Sequence, residues 1–301
     1  MSKKLFNELN YLQERMHRRS KKVFREYLKS KAEKYNLDYN IFPNTFIAKN
    51  VVIGNLKKAK YVLGAHYDTP PRMPAFLMKS VLFFNIATCL IVVFSFVLMF
   101  IFDIFLLIFA VLYIYLLFYL LGFGISNKYN YNDNTSGVLT VLSLMEKNRN
   151  QDVAYVFFDN EEKGLLGSIQ LAIFMKRLKS YHPRKKIFIN FDCVGIGNVF
   201  GIASFKNKRV AQELIDLSNN YENGNLLFEH RKASPFEGSD HFAFRNWNSL
   251  GIMCYNKKKK KYILKNIHSH KDKYIDLENI IVLVNLINNY IDMEVVSDGR
   301  V

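Results

Sequence analysis

The chain has 301 residues, of which 42 are Lys or Arg and 26 are Asp or Glu, so its formal net charge is +16. Half of the residues are hydrophobic and 15% are aromatic, which excludes a disordered or collagen-like chain. The three cysteines, Cys89, Cys193 and Cys254, are too few and too scattered for a disulfide framework, and this usage is typical of a reducing compartment.

The N-terminal segment is basic and carries apolar residues at roughly helical spacing from Leu5 to Leu28. This spacing predicts an amphipathic helix packed on the domain with its basic face in solvent. Contact with an anionic lipid surface is a second interpretation, compatible with the first. Short apolar runs then predict strands at residues 46–48, 51–53 and 61–65.

An almost continuously apolar block follows the third of these strands. Its segments 81–102 and 104–121, at about 1.5 Å per residue, are each close to the roughly 30 Å thickness of a bilayer's hydrocarbon core. They predict a transmembrane helical hairpin at 74–125, inserted between residues 1–73 and 126–301 of one main domain. The bilayer would be contacted through residues 81–121. One long buried helix or a hydrophobic dimer interface is the alternative.

The flanking charges predict the orientation of this hairpin. Arg72, Lys79 and Lys128 lie on the side of the main domain, whereas the apolar tip around Asp103 has no basic residue. The positive-inside rule therefore predicts a multi-pass protein of the cell membrane with its main domain in the cytoplasm.

Beyond the apolar block, strand and helix patterns alternate. Apolar runs predict strands at 153–158, 187–191 and 250–255, and helical periodicity predicts helices at 137–145, 165–178, 210–219 and 277–290. This alternation predicts an α/β fold whose central sheet is mixed but mostly parallel and is flanked by helices.

Polar residues follow several of the predicted elements, where strand ends border the ligand crevice of such a fold. They are His66 and Asp68, Asp133 and Asn134, Asp159 with Glu161 and Glu162, Asp192, and His268 with His270 and Asp272. Each alone is a weak signal, because lone histidines are usually structural and adjacent glutamates usually form a solvated turn. Together they supply the imidazole and carboxylate donors that suit a pair of zinc ions. A carboxylate such as Asp133 can bridge two ions, and the Glu161–Glu162 pair can supply both a ligand and a general base.

Six strings carry a resemblance to a known family. They are GAHYDT at 64–69, NDNTSG at 132–137, FDNEEKGLLGS at 158–168, NFD at 190–192, GSDH at 238–241 and IHSHKD at 267–272. In this order they resemble the two-zinc aminopeptidase family that includes bacterial leucyl aminopeptidases, glutamate carboxypeptidase and glutaminyl cyclase. The resemblance spans residues 64–272, and the apolar block is foreign to it.

The resemblance implies an aminopeptidase that hydrolyses the N-terminal peptide bond of a peptide or protein, and the predicted hairpin would make it membrane-anchored. It implies two Zn²⁺ ions, with other divalent transition metals as possible substitutes. Their ligands would be His66 and Asp192 on one ion, Glu162 and His268 on the other, and Asp133 between them. Glu161 would be the general base, and Asp68 would orient His66. A cis peptide bond between Asp133 and Asn134 is also implied.

Three positions are less clearly assigned by the resemblance. His268, not His270, takes the ligand position because it precedes Asp272 by four residues, and His270 is expected to be an exposed neighbour. Ile267 stands where some members have a Tyr that polarises the scissile carbonyl. The string Ser239-Asp240-His241 matches a family motif near the site without a defined role.

Three other functions are alternatives to this interpretation. A glutaminyl-cyclase-like acyltransferase would keep a similar ligand set, but the residues after Glu162 have the aminopeptidase form. A non-catalytic membrane scaffold would have lost ligands or the base, which are all present. Nucleic-acid binding is suggested by the charge and the lysine run at 257–261, but no recognisable binding motif accompanies them, so no nucleic-acid partner is expected.

Overall fold

A central β-sheet organises the part of the chain that the structure describes. This computed structural model describes residues 3–72, 126–148, 152–206, 208–219, 226–234, 238–259 and 261–297, together with 93, 109–114 and 116. Within these residues the strands are β1 Tyr39–Asn44, β2 Lys49–Ile53, β3 Tyr61–His66, β4 Val153–Phe158, β5 Ile187–Phe191, β6 Val199–Ser204, β7 Leu227–Lys232, β8 Asn248–Lys258 and β9 Lys261–Ile263. Their order in the sheet is β1-β2-β4-β3-β5-β8-β6-β7, and β9 pairs with β8.

The middle of the sheet is parallel and its flanks are mixed. Strands β4, β3, β5 and β8 run in one direction, whereas β2 and β6 run against their neighbours β4 and β8. All residues of β3, β4 and β5 are buried, as continuous apolar runs in a sheet covered on both faces should be. The C-terminal ends of these three strands therefore share one edge of the sheet.

Helices cover both faces of the sheet. They are α1 Lys3–Asn10, α2 Arg18–Lys34, α3 Gly137–Lys147, α4 Leu166–Arg177, α5 Arg209–Ser218 and α6 Leu277–Ser297. Because side chains alternate along a strand, Leu63 of β3 packs in the core cluster with α1, α2, α3, α5 and α6, and Val62 packs in the second cluster with α4. These two apolar clusters pack on opposite faces of the sheet and fix the position of its edge.

The transmembrane part of the predicted fold class is wrong. Among the residues that the structure describes, none of the helices has both the length and the apolar character needed to cross a membrane. The longest of them, α6, carries Asn, Asp and Glu side chains along its length. The hairpin itself was predicted for 74–125, which lies outside the described residues except for 93, 109–114 and 116. The fold class is corrected to a mixed α/β fold with a central sheet flanked by helices, and the predicted multi-pass membrane location is withdrawn.

Local patterns also misplaced some elements near the N-terminus. The basic segment forms two helices, α1 and α2, rather than one. Residues 46–48 lie in the turn between β1 and β2, where the backbone N–H of Thr45 donates to the carbonyl of Ala48. Within the lysine run, Lys257 and Lys258 end β8 and Lys261 begins β9.

Candidate metal centre

The predicted donors meet at one edge of the sheet, three of the parallel strands carrying some of them and neighbouring turns the others. His66 is the last residue of β3, Asp192 directly follows β5, and Glu161 and Glu162 lie in the turn after β4. Asp133 lies in the kinked turn Tyr131–Ser136 that precedes α3. His268 reaches the same place from the segment after β9 and lines a cavity of about 440 Å³ with the other donors.

The donors converge around Asp133. One carboxylate oxygen of Asp133 lies 3.4 Å from Nε2 of His66, and the other lies 2.9 Å from Nε2 of His268. His66 Nε2 is also 3.6 Å from Asp192 Oδ1, and His268 Nε2 is 3.4 Å from Glu162 Oε2. Two groups able to hold a metal ion result, His66–Asp133–Asp192 and Asp133–Glu162–His268, and they share Asp133.

The cis peptide bond predicted between Asp133 and Asn134 is confirmed. The carboxylate of Asp272 supports this turn by accepting hydrogen bonds from the backbone N–H groups of Asn132, at 2.8 Å, and Asp133, at 3.0 Å. The Asn134 side chain donates to the carbonyl of Phe191 at 2.9 Å. Because Phe191 is the last residue of β5, this contact ties the Asp133 turn to the strand that carries Asp192.

Asp68 contacts both sides of the cluster. Its backbone carbonyl oxygen lies 3.1 Å from Nδ1 of His66, whereas its carboxylate is 3.7 Å from that atom. The two carboxylate oxygens accept hydrogen bonds from the backbone N–H groups of Glu161, at 3.0 Å, and Glu162, at 3.2 Å. Asp68 thus holds the Glu161–Glu162 turn with its side chain and His66 with its backbone.

The other residues named in the sequence analysis differ in their position relative to the cavity. His270 is exposed, as predicted, and is absent from the described cavity lining, whereas Ile267 is part of that lining. Ser239, Asp240 and His241 are buried beside the site. Ser239 Oγ accepts a hydrogen bond from Asn190 at 3.0 Å. Burial raises the pKa of Glu161, and the Asp240 carboxylate is one of the neighbouring charges that add to this shift.

The donor set fits a divalent metal such as zinc. Burial raises the pKa of Glu162 to about 8, and the neighbouring Asp133 adds to that shift while His268 opposes it. Within the described residues Oε1 of Glu162 is buried and accepts no hydrogen bond. A cation satisfies such an oxygen and offsets the repulsion among clustered carboxylates, and histidine and carboxylate ligands in sets of three are typical of catalytic zinc.

The basic N-terminal segment supports the site, which the sequence did not indicate. Arg15 is fully buried and donates to the carbonyl of Tyr67, at 2.5 Å, and to Oγ1 of Thr135, at 3.0 Å. It therefore links the loop after β3 to the turn that carries Asp133. Lys21 of α2 donates to Asp159 at 2.7 Å and lies 4.0 Å from Asp68. The prediction that this basic face lies in solvent is wrong for both residues.

Replacing Lys21 by Met should lower the free energy of unfolding by about 3 kcal/mol, because it leaves the buried carboxylates of Asp159 and Asp68 without their cation. Urea unfolding monitored by circular dichroism measures this loss. Lys22→Met is the matched control, since Lys22 is the exposed neighbour on the same helix. Equal stabilities of the two variants would contradict a supporting role for Lys21.

The cavity lies at the C-terminal edge of a mixed α/β sheet and is lined by clustered imidazoles and carboxylates. This arrangement is typical of metal-dependent hydrolases. The model of peptidase family M28 matches residues 123–286, which is more than half of the chain. The chain therefore belongs to peptidase family M28.

Solved structures share the fold at low sequence identity. The glutaminyl cyclase of Porphyromonas gingivalis matches with a TM-score of 0.66 and 14% identity, over 97% of this chain and 96% of that one. A Zn-dependent exopeptidase from Parabacteroides distasonis matches with a TM-score of 0.61 and 16% identity, over 95% and 94% of the two chains. The LapA aminopeptidase of Legionella pneumophila matches with a TM-score of 0.60 and 14% identity, over 94% of this chain and 69% of that one. A search of curated proteins gave no match.

Proposed function

We propose that the chain is a zinc aminopeptidase that hydrolyses the N-terminal peptide bond of peptides or proteins. The observation that carries this proposal is the pair of donor groups that share Asp133 on the floor of an open cavity. One Zn²⁺ would be held by His66 and Asp192, the other by Glu162 and His268, and both by Asp133. Bound zinc acts as a Lewis acid and lowers the pKa of a coordinated water to about 7.

The protein's own groups supply the remaining chemistry. Glu161 is buried next to the shared cluster, and in this proposal its carboxylate takes a proton from the attacking water and gives it to the leaving amine. Asp68 fixes the backbone of Glu161 and Glu162 and contacts the ring of His66. It therefore fixes the position of the proposed base, Glu161, relative to the proposed ligands His66 and Glu162. Its role is positioning, because Asp68 contacts these lining residues but is not itself part of the cavity lining that the structure describes.

A glutaminyl-cyclase-like acyltransferase is the second candidate. Its support is the fold shared with a bacterial glutaminyl cyclase over nearly the full length of both chains. The two reactions give different products from different substrates. Hydrolysis releases a free amino acid, whereas cyclisation of an N-terminal Gln releases ammonia and leaves the peptide otherwise intact.

Purified protein should release the first amino acid from a panel of short peptides, and chelation followed by zinc repletion should abolish and restore this activity, because the proposed attack depends on the bound ions. Mass spectrometry of the products, with Leu- and Gln-initiated peptides in parallel, measures both reactions. Loss of ammonia from the Gln peptide without release of amino acids would favour the cyclase. Turnover that is insensitive to chelation would contradict both metal-dependent functions.

A further inference from the structure

We propose that a second cavity, separate from the candidate metal centre, binds a small ligand with several phosphate groups and a planar ring, which is the chemistry of a free nucleotide. The proposal is independent of the peptidase function, because the two cavities share none of the residues that the structure describes in their linings. The second cavity has a volume of about 1050 Å³, against about 440 Å³ at the metal centre. It is therefore large enough for such a ligand.

The described lining of the second cavity is strongly basic. It contains five Lys or Arg side chains and no Asp or Glu. All five are exposed, and none of the ion pairs among the described residues involves any of them. They are Lys176 of α4, Arg184 and Lys185 of the turn Pro183–Lys185, Lys206 after β6, and Arg245 after the turn Asp240–Phe244.

These cations reach the cavity from four separate segments of the chain. Charges that converge on one cavity suit a compact polyanion, whereas a strand of nucleic acid needs charges along a continuous groove. Because like charges repel, an anion bound among the five cations would relieve their mutual repulsion. Phosphate groups match the N–H donors of both Lys and Arg. The arrangement therefore indicates a small ligand with several phosphate groups.

Flat side-chain groups line the same cavity and suit a planar ring. Trp247 is half-buried and stacks on Phe188, with the ring centroids 5.6 Å apart and the planes at 30°. The guanidinium of Arg245 lies over the ring of Phe242, 4.3 Å from its centroid, and donates to the carbonyl of Phe242 at 3.3 Å. Aromatic rings and guanidinium planes stack on nucleobases, because every base has a π-face. The lining thus combines phosphate donors with stacking surfaces.

The apolar cluster beneath the cavity fixes its shape. Ala172, Ala243 and Trp247 of the lining pack against this cluster, in which the rings of Phe188 and Phe244 stack with their centroids 4.4 Å apart. A wall that is already ordered loses little conformational entropy when a ligand binds. The cavity is therefore preorganised on the side that carries Trp247.

Calorimetric titration of ATP, tripolyphosphate and adenosine into the protein tests both parts of the ligand. ATP should bind at least about tenfold more tightly than either fragment, because ATP alone contacts the cations and the flat groups together. Trp247 is the only tryptophan of the chain, so a change in its fluorescence on addition of ATP reports binding in this cavity. No binding of ATP, or equal binding of ATP and one of the fragments, would overturn the proposal.

Reversing two charges of the lining, with Lys176→Glu and Arg184→Glu in one variant, should weaken ATP binding at least about tenfold. The matched control combines Arg19→Glu with Lys22→Glu, which reverses one Arg and one Lys that are exposed on α2 and lie outside the described lining. This control should bind ATP within about twofold of the wild type, and circular dichroism checks the folding of both variants. Equal weakening in the two variants would overturn the proposal, since that result indicates attraction to net charge only.

Two further titrations locate the site and identify the source of the nucleotide. At about 0.15 M salt, where surface charges are screened beyond about 8 Å, a short single-stranded oligonucleotide should bind more weakly than ATP. Tighter binding of the oligonucleotide would overturn the assignment to a free nucleotide. Asp133→Ala should bind ATP like the wild type, because Asp133 lines the other cavity. Loss of ATP binding in this variant would place the ligand at the metal centre and overturn the proposal. ATP binding by a protein that hydrolyses no peptide would contradict the peptidase function alone.

Discussion

Replacing Glu161 by Gln should lower kcat by at least about 100-fold and leave the zinc content of the protein unchanged. The substitution keeps the size of the side chain and removes its ability to accept and return a proton. The Glu161 backbone remains held by Asp68, since that contact uses the Glu161 N–H group. Release of amino acids from peptides measures turnover, and inductively coupled plasma mass spectrometry measures the zinc content of the protein.

The zinc measurement distinguishes the base from a ligand. The structure also places Glu161 within reach of His66 and Glu162 as a third possible donor group. Loss of zinc from Glu161→Gln would make Glu161 a metal ligand, and retained turnover would remove it from the chemistry altogether. Glu278→Gln is the control, because Glu278 is exposed in the first turn of α6 and outside the cavity lining.

Replacing Asp133 by Ala should remove both of the proposed Zn²⁺ ions and all turnover, the largest effect expected from any single residue of the cluster. Asp133 is the one residue common to the groups formed with His66 and Asp192 and with Glu162 and His268. Without it, each group keeps two protein ligands, fewer than the three typical of catalytic zinc sites. Zinc content after dialysis, with circular dichroism as a check on folding, measures the loss.

Asp192→Ala provides the comparison for this experiment. Asp192 lies 3.6 Å from His66 and belongs to one of the two groups only. We expect this variant to lose the ion held by His66 and to keep the one held by Glu162 and His268. Equal zinc contents in Asp133→Ala and Asp192→Ala would contradict the bridging position of Asp133.

The sequence alone indicated the donors because they sit next to strongly patterned elements. The run that predicts a strand at 153–158 coincides with β4, and that at 187–191 coincides with β5. A buried parallel strand is continuously apolar, and its end is marked by the first polar residue. Because parallel strands end at one edge of a sheet, His66, Glu162 and Asp192 are expected to meet there. Asp133 and His268 follow no such strand and were assigned as ligands by the family resemblance, and the structure brings all five residues together.

Edge strands have no comparable hydropathy pattern in the sequence. Strand β7 has one buried residue, Phe228, and is otherwise half-buried or exposed, and it carries few apolar side chains. It is a strand because β6 supplies parallel hydrogen-bonding partners, which only the folded chain brings alongside. The hydropathy of a segment likewise reports its composition and not its surroundings, and the hairpin predicted from hydropathy is one of the parts of the predicted fold that are corrected.

What the sequence indicated by itself is the set of donor residues and hence the proposed chemistry of the site, since residue types and their order are local properties of the chain. What only the tertiary structure decided is which charges support that chemistry. Lys21 and Asp159 are 138 residues apart, and Arg15 and Thr135 are 120 residues apart. A lysine that is solvated and one that is buried against a carboxylate look identical in a basic segment, because the distinction depends on the distant residue that folding places beside it.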